Sequence, residues 1–324
     1  MSGYVFNVET IEKLSAGEVY GKTLAEMSVK NKNIVMLTAD LVRSNKAGDF
    51  KQAAPDRFFN FGIAEQNMMA AAAGLAVSGK IPYVSTMAAF ASMRACEQVR
   101  TDIAYPNLNV RIIATHSGLS MGNGGSTHHS TEDLAIMRSI PNMTVIVPAC
   151  PMQCRRILLE TELHEGPIYM RIGRGAEPVL YPEEEEYEYK VGKAIVKKDG
   201  TDLTVIGCSF CIMNALFAAE RLEEDDGINI RVIDMHTIKP IDKDTVLKAA
   251  AETGGIITVE DHNIIGGLGS AVAEVLAESS VQTKFKRLGV PDLFSVIGDP
   301  EQLHNKYGYD EDGIYEAVKE MLGK

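Results

Sequence analysis

Apolar positions along the chain fall into short unbroken runs, separated by longer stretches of helical periodicity. Residues 33–39 (NIVMLTA) predict a buried strand, and residues 64–78 (AEQNMMAAAAGLAVS) predict a helix of small side chains. Residues 81–86 (IPYVST) read as the next strand, 88–104 (AAFASMRACEQVRTDIA) as a helix and 109–115 (NVRIIAT) as a strand. MTVIVPA and PIYMRIG add two more strands. Short apolar strands alternating with helices predict a mainly parallel, doubly wound α/β sheet. The charged run 181–190 (YPEEEEYEYK) breaks this rhythm and reads as a solvated linker or edge segment. After it the alternation resumes, with strands DLTVIGC, INIRVIDM and GGIITVE and helices MNALFAAERLEE and GSAVAEVLAESS. A boundary near residue 188 therefore divides the chain into two α/β domains, 1–188 and 189–324. No internal repeat stands out.

Composition narrows the function. The 324 residues are 45% hydrophobic and 23% charged, with a formal net charge of −12. An acidic chain lacks the basic footprint of a nucleic-acid binder, and it is unsuited to an anionic membrane surface. Small anionic substrates stay possible, because a local site can be basic on an acidic protein. No apolar run is long enough to span a bilayer. The opening MSGYVFNVETIEK has neither the basic nor the apolar segment of a signal peptide. Five scattered cysteines point to reduced thiols and a cytoplasmic chain. Cys208 and Cys211 have CxxC spacing; buried thiols are favoured over a redox pair.

Three stretches carry candidate chemistry. In FFNFGIAEQNMMAAAAGLA (58–76), Glu65 stands alone among phenylalanines, methionines and alanines. It can be a helix-end acid facing the macrodipole. It can also be a carboxyl group held neutral by desolvation, able to donate a hydrogen bond and shuttle a proton. In ATHSGLSMGNGGSTHHSTED (114–133), His116 ends a strand at the carboxyl edge of the sheet, where open α/β sheets bind ligands. The glycine-rich loop that follows leads to His128 and His129. No acid or cysteine sits at ligand spacing there, so proton relay or hydroxyl binding suits these imidazoles better than metal. GGLG (266–269) lacks the spacing of a dinucleotide fingerprint and reads as a tight turn into a helix.

The order of blocks LTADLVRSN, FFNFGIAEQNMMAAAAGLA, PYVSTMAAFASMRACEQVR, ATHSGLSMGNGGSTHH, IPNMTVIVPA, GPIYMRIGR, DMHTIKPID and VEDHNIIGGLGS resembles the C-terminal half of transketolases, over about residues 15 to 320. The chain looks like the small subunit of a split transketolase: a pyrimidine-binding domain plus a transketolase C-terminal domain. The resemblance implies thiamine diphosphate as cofactor, with Glu65 donating a hydrogen bond to N1′ of its aminopyrimidine. That drives the amino group toward its imino form, which takes the proton from C2. The resulting carbon nucleophile moves a two-carbon ketol unit from a ketose donor to an aldose acceptor. It further implies Asp40 near the cofactor, Met87, Phe90 and Met93 around the pyrimidine, and His116 and His128 on substrate hydroxyls and protons. Ser44 and Arg171 fall on positions that bind the donor's terminal phosphate.

Some positions depart from the family. Only Phe90 of the three ring-covering positions is aromatic, though methionine can cover a ring through its sulfur. An acidic pair that grips a donor hydroxyl is replaced by Asn123 and Gly124, and a second phosphate-binding arginine by Gly17. A lost polar contact changes specificity, so the expected donor is a modified ketose, for example sulfonated or branched. The family's GDG…Asn motif for Mg²⁺ and diphosphate is missing; KDGTD (198–202) lacks its leading glycine. The implied partner is an N-terminal diphosphate-binding subunit that carries the Mg²⁺ ligands, assembled as a heterotetramer. The β subunit of a 2-oxo acid dehydrogenase shares this two-domain layout, but GNGGSTHH and IPNMTV fit transketolase better. A deoxyxylulose-phosphate synthase likeness is weaker, and a non-catalytic partner-binding subunit is disfavoured by the intact Glu65, His116 and His128.

Overall fold

The computed structural model describes residues 12–182 and 187–324. The middle of the charged run 181–190 lies outside the described residues.

Among the described residues two sheets organise the chain. The larger has seven strands, in the order Thr237–Lys239, Thr144–Ile146, Ile168–Arg171, Arg111–Thr115, Ile81–Met87, Ile34–Thr38 and Phe58–Asn60. All neighbours run parallel except the first pair. The chain builds outward to Phe58–Asn60 and then returns to the other side of Ile34–Thr38 with Ile81–Met87. Strand order therefore reverses beside Ile34–Thr38, the place where such sheets open a ligand crevice. The central strands are buried from end to end, which explains their unbroken apolar reading. The smaller sheet has five strands, with Leu203–Gly207 and Ile256–Asn263 at its centre. Both domains are α/β with mainly parallel sheets.

The helices that position the site are short on caps and rich in small residues. Glu65–Val77 has no side-chain cap; it is held by burying Met68, Met69, Ala72 and Ala73 against the sheet. The predicted helix 88–104 is not uniform. It is wound into wide turns, with Ala95 N–H reaching Phe90 C=O at 3.2 Å and Tyr105 N–H reaching Arg100 C=O at 2.9 Å. Such five-residue closures are uncommon and recur at functional sites.

The two units are fastened together. Thr237–Lys239, from the second half of the chain, pairs antiparallel with Thr144–Ile146 and extends the first sheet. Gln153 donates to Asp234 at 2.6 Å and Tyr181 to the same oxygen at 2.7 Å, all buried. One apolar core runs through both, from Val35 and Met68 to Ile206, Ile233 and Leu268.

Candidate active site

The carboxyl ends of four adjacent strands supply the site. Asp40 follows Ile34–Thr38, Glu65 follows Phe58–Asn60, Met87 ends Ile81–Met87, and His116 follows Arg111–Thr115. Asp40 and His116 both have left-handed backbone, at φ 58° and 56°. Non-glycine residues in that region carry a local cost that recurs at ligand sites. Asn60 holds one pair of tips together. Its Oδ1 accepts from Asp40 N–H at 2.9 Å and Gly62 N–H at 3.1 Å, while its Nδ2 donates to Asp40 Oδ1 at 3.3 Å.

Glu65 is 2% exposed. Its setting is not the purely apolar one its flanking sequence implies. Both carboxylate oxygens lie 2.9 Å from Arg94 Nη1. The Arg94 guanidinium lies over the Phe90 ring, 4.2 Å from its centre. Phe90 in turn meets His128 edge-on at 5.5 Å. Met87, at the strand end, is buried, and Met93 is 46% exposed. Glu65, Phe90 and His128 are thus brought together, and Arg94 links the first two.

His116 is 6% exposed. Burial, then the charges of Arg174 and His128, push it down to about 4, so it is neutral at ordinary pH. Thr115 Oγ1 donates to Asn45 Oδ1 at 2.9 Å and sits 2.9 Å from His116 Nδ1. A hydroxyl has one proton to give, so with Asn45 oriented this way Nδ1 carries the ring proton. Nε2 is then left as an acceptor. His129, by contrast, is spent internally, donating from Nε2 to Gly122 C=O at 3.0 Å.

Arg171 is a correction. Its side chain is fully buried and pairs with Asp133 at 2.9 Å. It also donates to Ser130 C=O at 2.9 Å and Asp261 C=O at 2.7 Å. A guanidinium committed in this way cannot read a substrate phosphate. The exposed base is Arg174, three residues on, past the strand end. It lines a cleft of about 590 Å³ with Lys13, Ser120 and Ser209, and the acids Asp299, Glu301 and Asp310 line the same cleft. The signal was present in sequence: Arg171 lies within the apolar strand run, and Arg174 lies between Gly173 and Gly175 beyond it. Ser44 is exposed on the loop after Asp40. Gly17 is the second residue of the helix Ala16–Lys30, where a Cβ would meet Lys46 Cγ at 3.4 Å.

Two other sequence features resolve structurally. Cys208 and Cys211 are buried, and burial raises both thiols well above their usual range. GGLG is not an anion site, because the protein fills it. Glu260 accepts from Leu268 N–H and Gly269 N–H, both at 2.7 Å, at the start of the helix Leu268–Ala277. A Cβ on Gly267 would lie 2.0 Å from Glu260 Oε2, which is why glycine stands there.

The slot between Glu65 and Phe90 fits a thiamine pyrimidine. Such a ring needs an aromatic face and a carboxyl group at its edge. Arg94, itself flat and bearing N–H donors at its edge, already uses Phe90 and Glu65 in those two ways.

Comparison with known proteins identifies the family. The family model for the transketolase pyrimidine binding domain matches residues 12–178, and that for the transketolase C-terminal domain matches residues 192–314. One chain of an apulose-4-phosphate transketolase from Phocaeicola vulgatus is 40% identical, covering 93% of this chain and 96% of its own length. A 6-deoxy-6-sulfo-D-fructose transketolase subunit from Clostridium sp. (strain MSTE9) is 39% identical, covering 94% and 93%. A solved structure described as a split gene transketolase, inactive β4 tetramer, superimposes with a TM-score of 0.88 at 44% identity, covering 96% of this chain and 99% of that one. No described helix is long and apolar enough to cross a membrane. The chain belongs to the transketolase family of thiamine-dependent transferases, as the C-terminal subunit of a split enzyme.

Proposed function

We propose that this chain supplies the pyrimidine half of a two-chain active site that moves a glycolaldehyde unit from a modified ketose to an aldose. The observation that carries this is the buried Glu65 carboxylate at the mouth of a slot walled by Phe90, with His128 and a neutral His116 beside it. Thiamine diphosphate, when bound, supplies the carbon nucleophile and electron sink for C–C cleavage. Glu65 holds the pyrimidine edge and moves a proton there. Phe90, with Met87 and Met93, covers the ring face. His116 Nε2 is free to accept a hydrogen bond from a substrate hydroxyl, and His128 stands within reach of the same ligand. Asp40, in its left-handed conformation, lines the neighbouring strand tip and orients the cofactor.

Several observations favour a donor other than an ordinary linear ketose phosphate. Asn123 and Gly124 offer no carboxylate, and a Cβ on Gly124 would sit 2.9 Å from His128 Cβ, so none can be added there without displacing the histidine. Relatives that share this layout are named for sulfofructose and apulose phosphate. Arg174 and Lys13, with Ser44 on the neighbouring loop, are the groups we assign to an anionic donor tail.

The partner we assign is an N-terminal diphosphate-binding subunit holding Mg²⁺, in a cytoplasmic heterotetramer. A rim of exposed apolar side chains beside Glu65 supports it: Ile63 at 79%, Phe59 and Met93. The β-only tetramer described as inactive is consistent with half-sites that need another chain.

Glu65→Gln is the test of the function. In the assembled enzyme it should reduce ketol transfer by about 10²-fold or more, the cost of losing a proton-transfer group. The melting temperature should stay close to that of the wild type. Turnover of a sulfonated or branched ketose at the normal rate by that variant would end this reading.

A further inference from the structure

We infer that Arg94 is a positioning residue that occupies the pyrimidine slot and holds Glu65 in its binding orientation until the cofactor ring displaces it. This rests on the reading of Glu65 given above. The carboxylate is 2% exposed, and the Arg94 side chain is 45% exposed. A buried carboxylate without a counter-ion is costly, so the slot cannot stand empty cheaply. Arg94 meets the need with one nitrogen, placed 2.9 Å from each carboxylate oxygen.

The rest of the guanidinium shows that the contact is more than a counter-ion. It lies flat over Phe90 at 4.2 Å, filling the space between that ring and Glu65. An aminopyrimidine bound at Glu65 uses the same ring face and the same carboxyl group. Both groups cannot be there together. The wide turn from Phe90 to Arg94, closed by Ala95 N–H to Phe90 C=O, brings the two side chains onto one side. Because nearly half of Arg94 already faces water, its charge can swing outward without being dehydrated, while its methylene stem stays on the apolar wall.

Cofactor binding is then an exchange at Glu65. The ring gains the carboxyl group and the Phe90 face, and Arg94 gives them up. The observed affinity is lowered by whatever the Arg94 pairing is worth. A half-exposed pair of this kind corresponds to a factor of about two to five.

Calorimetric titration of thiamine diphosphate into the chain co-purified with its diphosphate-binding partner tests this. Arg94→Ala and Arg94→Gln should each bind about two- to fivefold more tightly than the wild type. Arg94→Lys keeps the charge and should bind near the wild-type value. Thiamine, titrated against the chain alone, should show the same order. Circular dichroism shows whether each variant is folded, and Arg94→Gln keeps a flat polar group should Arg94→Ala unfold. Unchanged or weaker binding in both neutral variants would overturn the inference. Glu65→Gln separates the two levels: if it too leaves cofactor affinity untouched, the pyrimidine reading itself fails, and the inference with it.

Discussion

Arg171 and Arg174 flank the end of one strand in opposite surroundings, the first buried against Asp133 and the second exposed on the cleft beside His116. Removing one partner of a buried pair leaves the other charge uncompensated. Arg171→Met should therefore cost about 3–5 kcal/mol of stability. Arg174→Ala should leave the melting temperature alone and raise KM for an anionic donor. Since Arg174 helps hold His116 down near 4, its removal should also move the acid limb of the rate profile upward in pH. Thermal melts and pH–rate curves of the two variants decide the assignment; a destabilised Arg174→Ala beside an intact Arg171→Met would reverse it. Glu65 drew attention in sequence because an acid inside an apolar run is conspicuous, and only the family resemblance gave it a chemical role. Arg94 was not, because its partner lies 29 residues away and only the fold brings them together.

The helix Leu268–Ala277 shows how an element can be set by a distant group. Glu260, eight and nine residues earlier, accepts its first free amides, the work a cap residue normally does locally. Burial lifts this carboxyl up to about 7, and lowers the adjacent His262 to about 4. For Glu260 the folded value lies above the unfolded one, near 4.5. Its contribution to stability is therefore full below about pH 4.5 and is lost as pH rises through about 7. His262 acts in reverse: its contribution is present above about 6.5 and lost as pH falls through about 4. Glu260→Gln should leave the melting temperature near the wild-type value at pH 5, where the neutral acid and the amide offer the same single carbonyl acceptor. It should also flatten the decline between pH 5 and 8, and parallel curves for variant and wild type would refute the account. The strands and most helices followed from apolar periodicity, since the central strands are buried on both faces, whereas their order in the sheet is seen only in the fold. The wide turns of residues 90–94 and 99–104 did not, because their composition is ordinary for a helix and the rewinding depends on what packs beneath them.

At the scale of the molecule, the second domain buttresses the histidine loop of the first. Asp261 accepts from Leu119 N–H at 3.1 and 3.2 Å, Arg171 donates to its carbonyl, and Tyr309 donates to its carboxylate at 3.0 Å. Gly118 must lack a Cβ, because one would lie 1.8 Å from Asp261 Oδ2, and its φ is +56°. Further along the loop, Ser126 Oγ donates to Ser295 C=O at 3.2 Å, and Ile297 packs against Gly125. The segment that makes these contacts also exposes Phe294 at 81% and Ile297 at 69%. Apolar groups this open, bordering the site proposed to be completed by a second chain, are suited to be covered on assembly. If the diphosphate-binding subunit covers both this segment and the Ile63 rim, a carboxylate at either place should weaken assembly without unfolding the chain. Ile63→Asp and Phe294→Asp should each shift the complex toward free subunits in sedimentation, with activity regained at higher protein concentration. A variant that assembles like the wild type would remove its surface from the interface. If instead only self-association of the isolated chain were lost, these side chains would serve contacts between copies of this subunit.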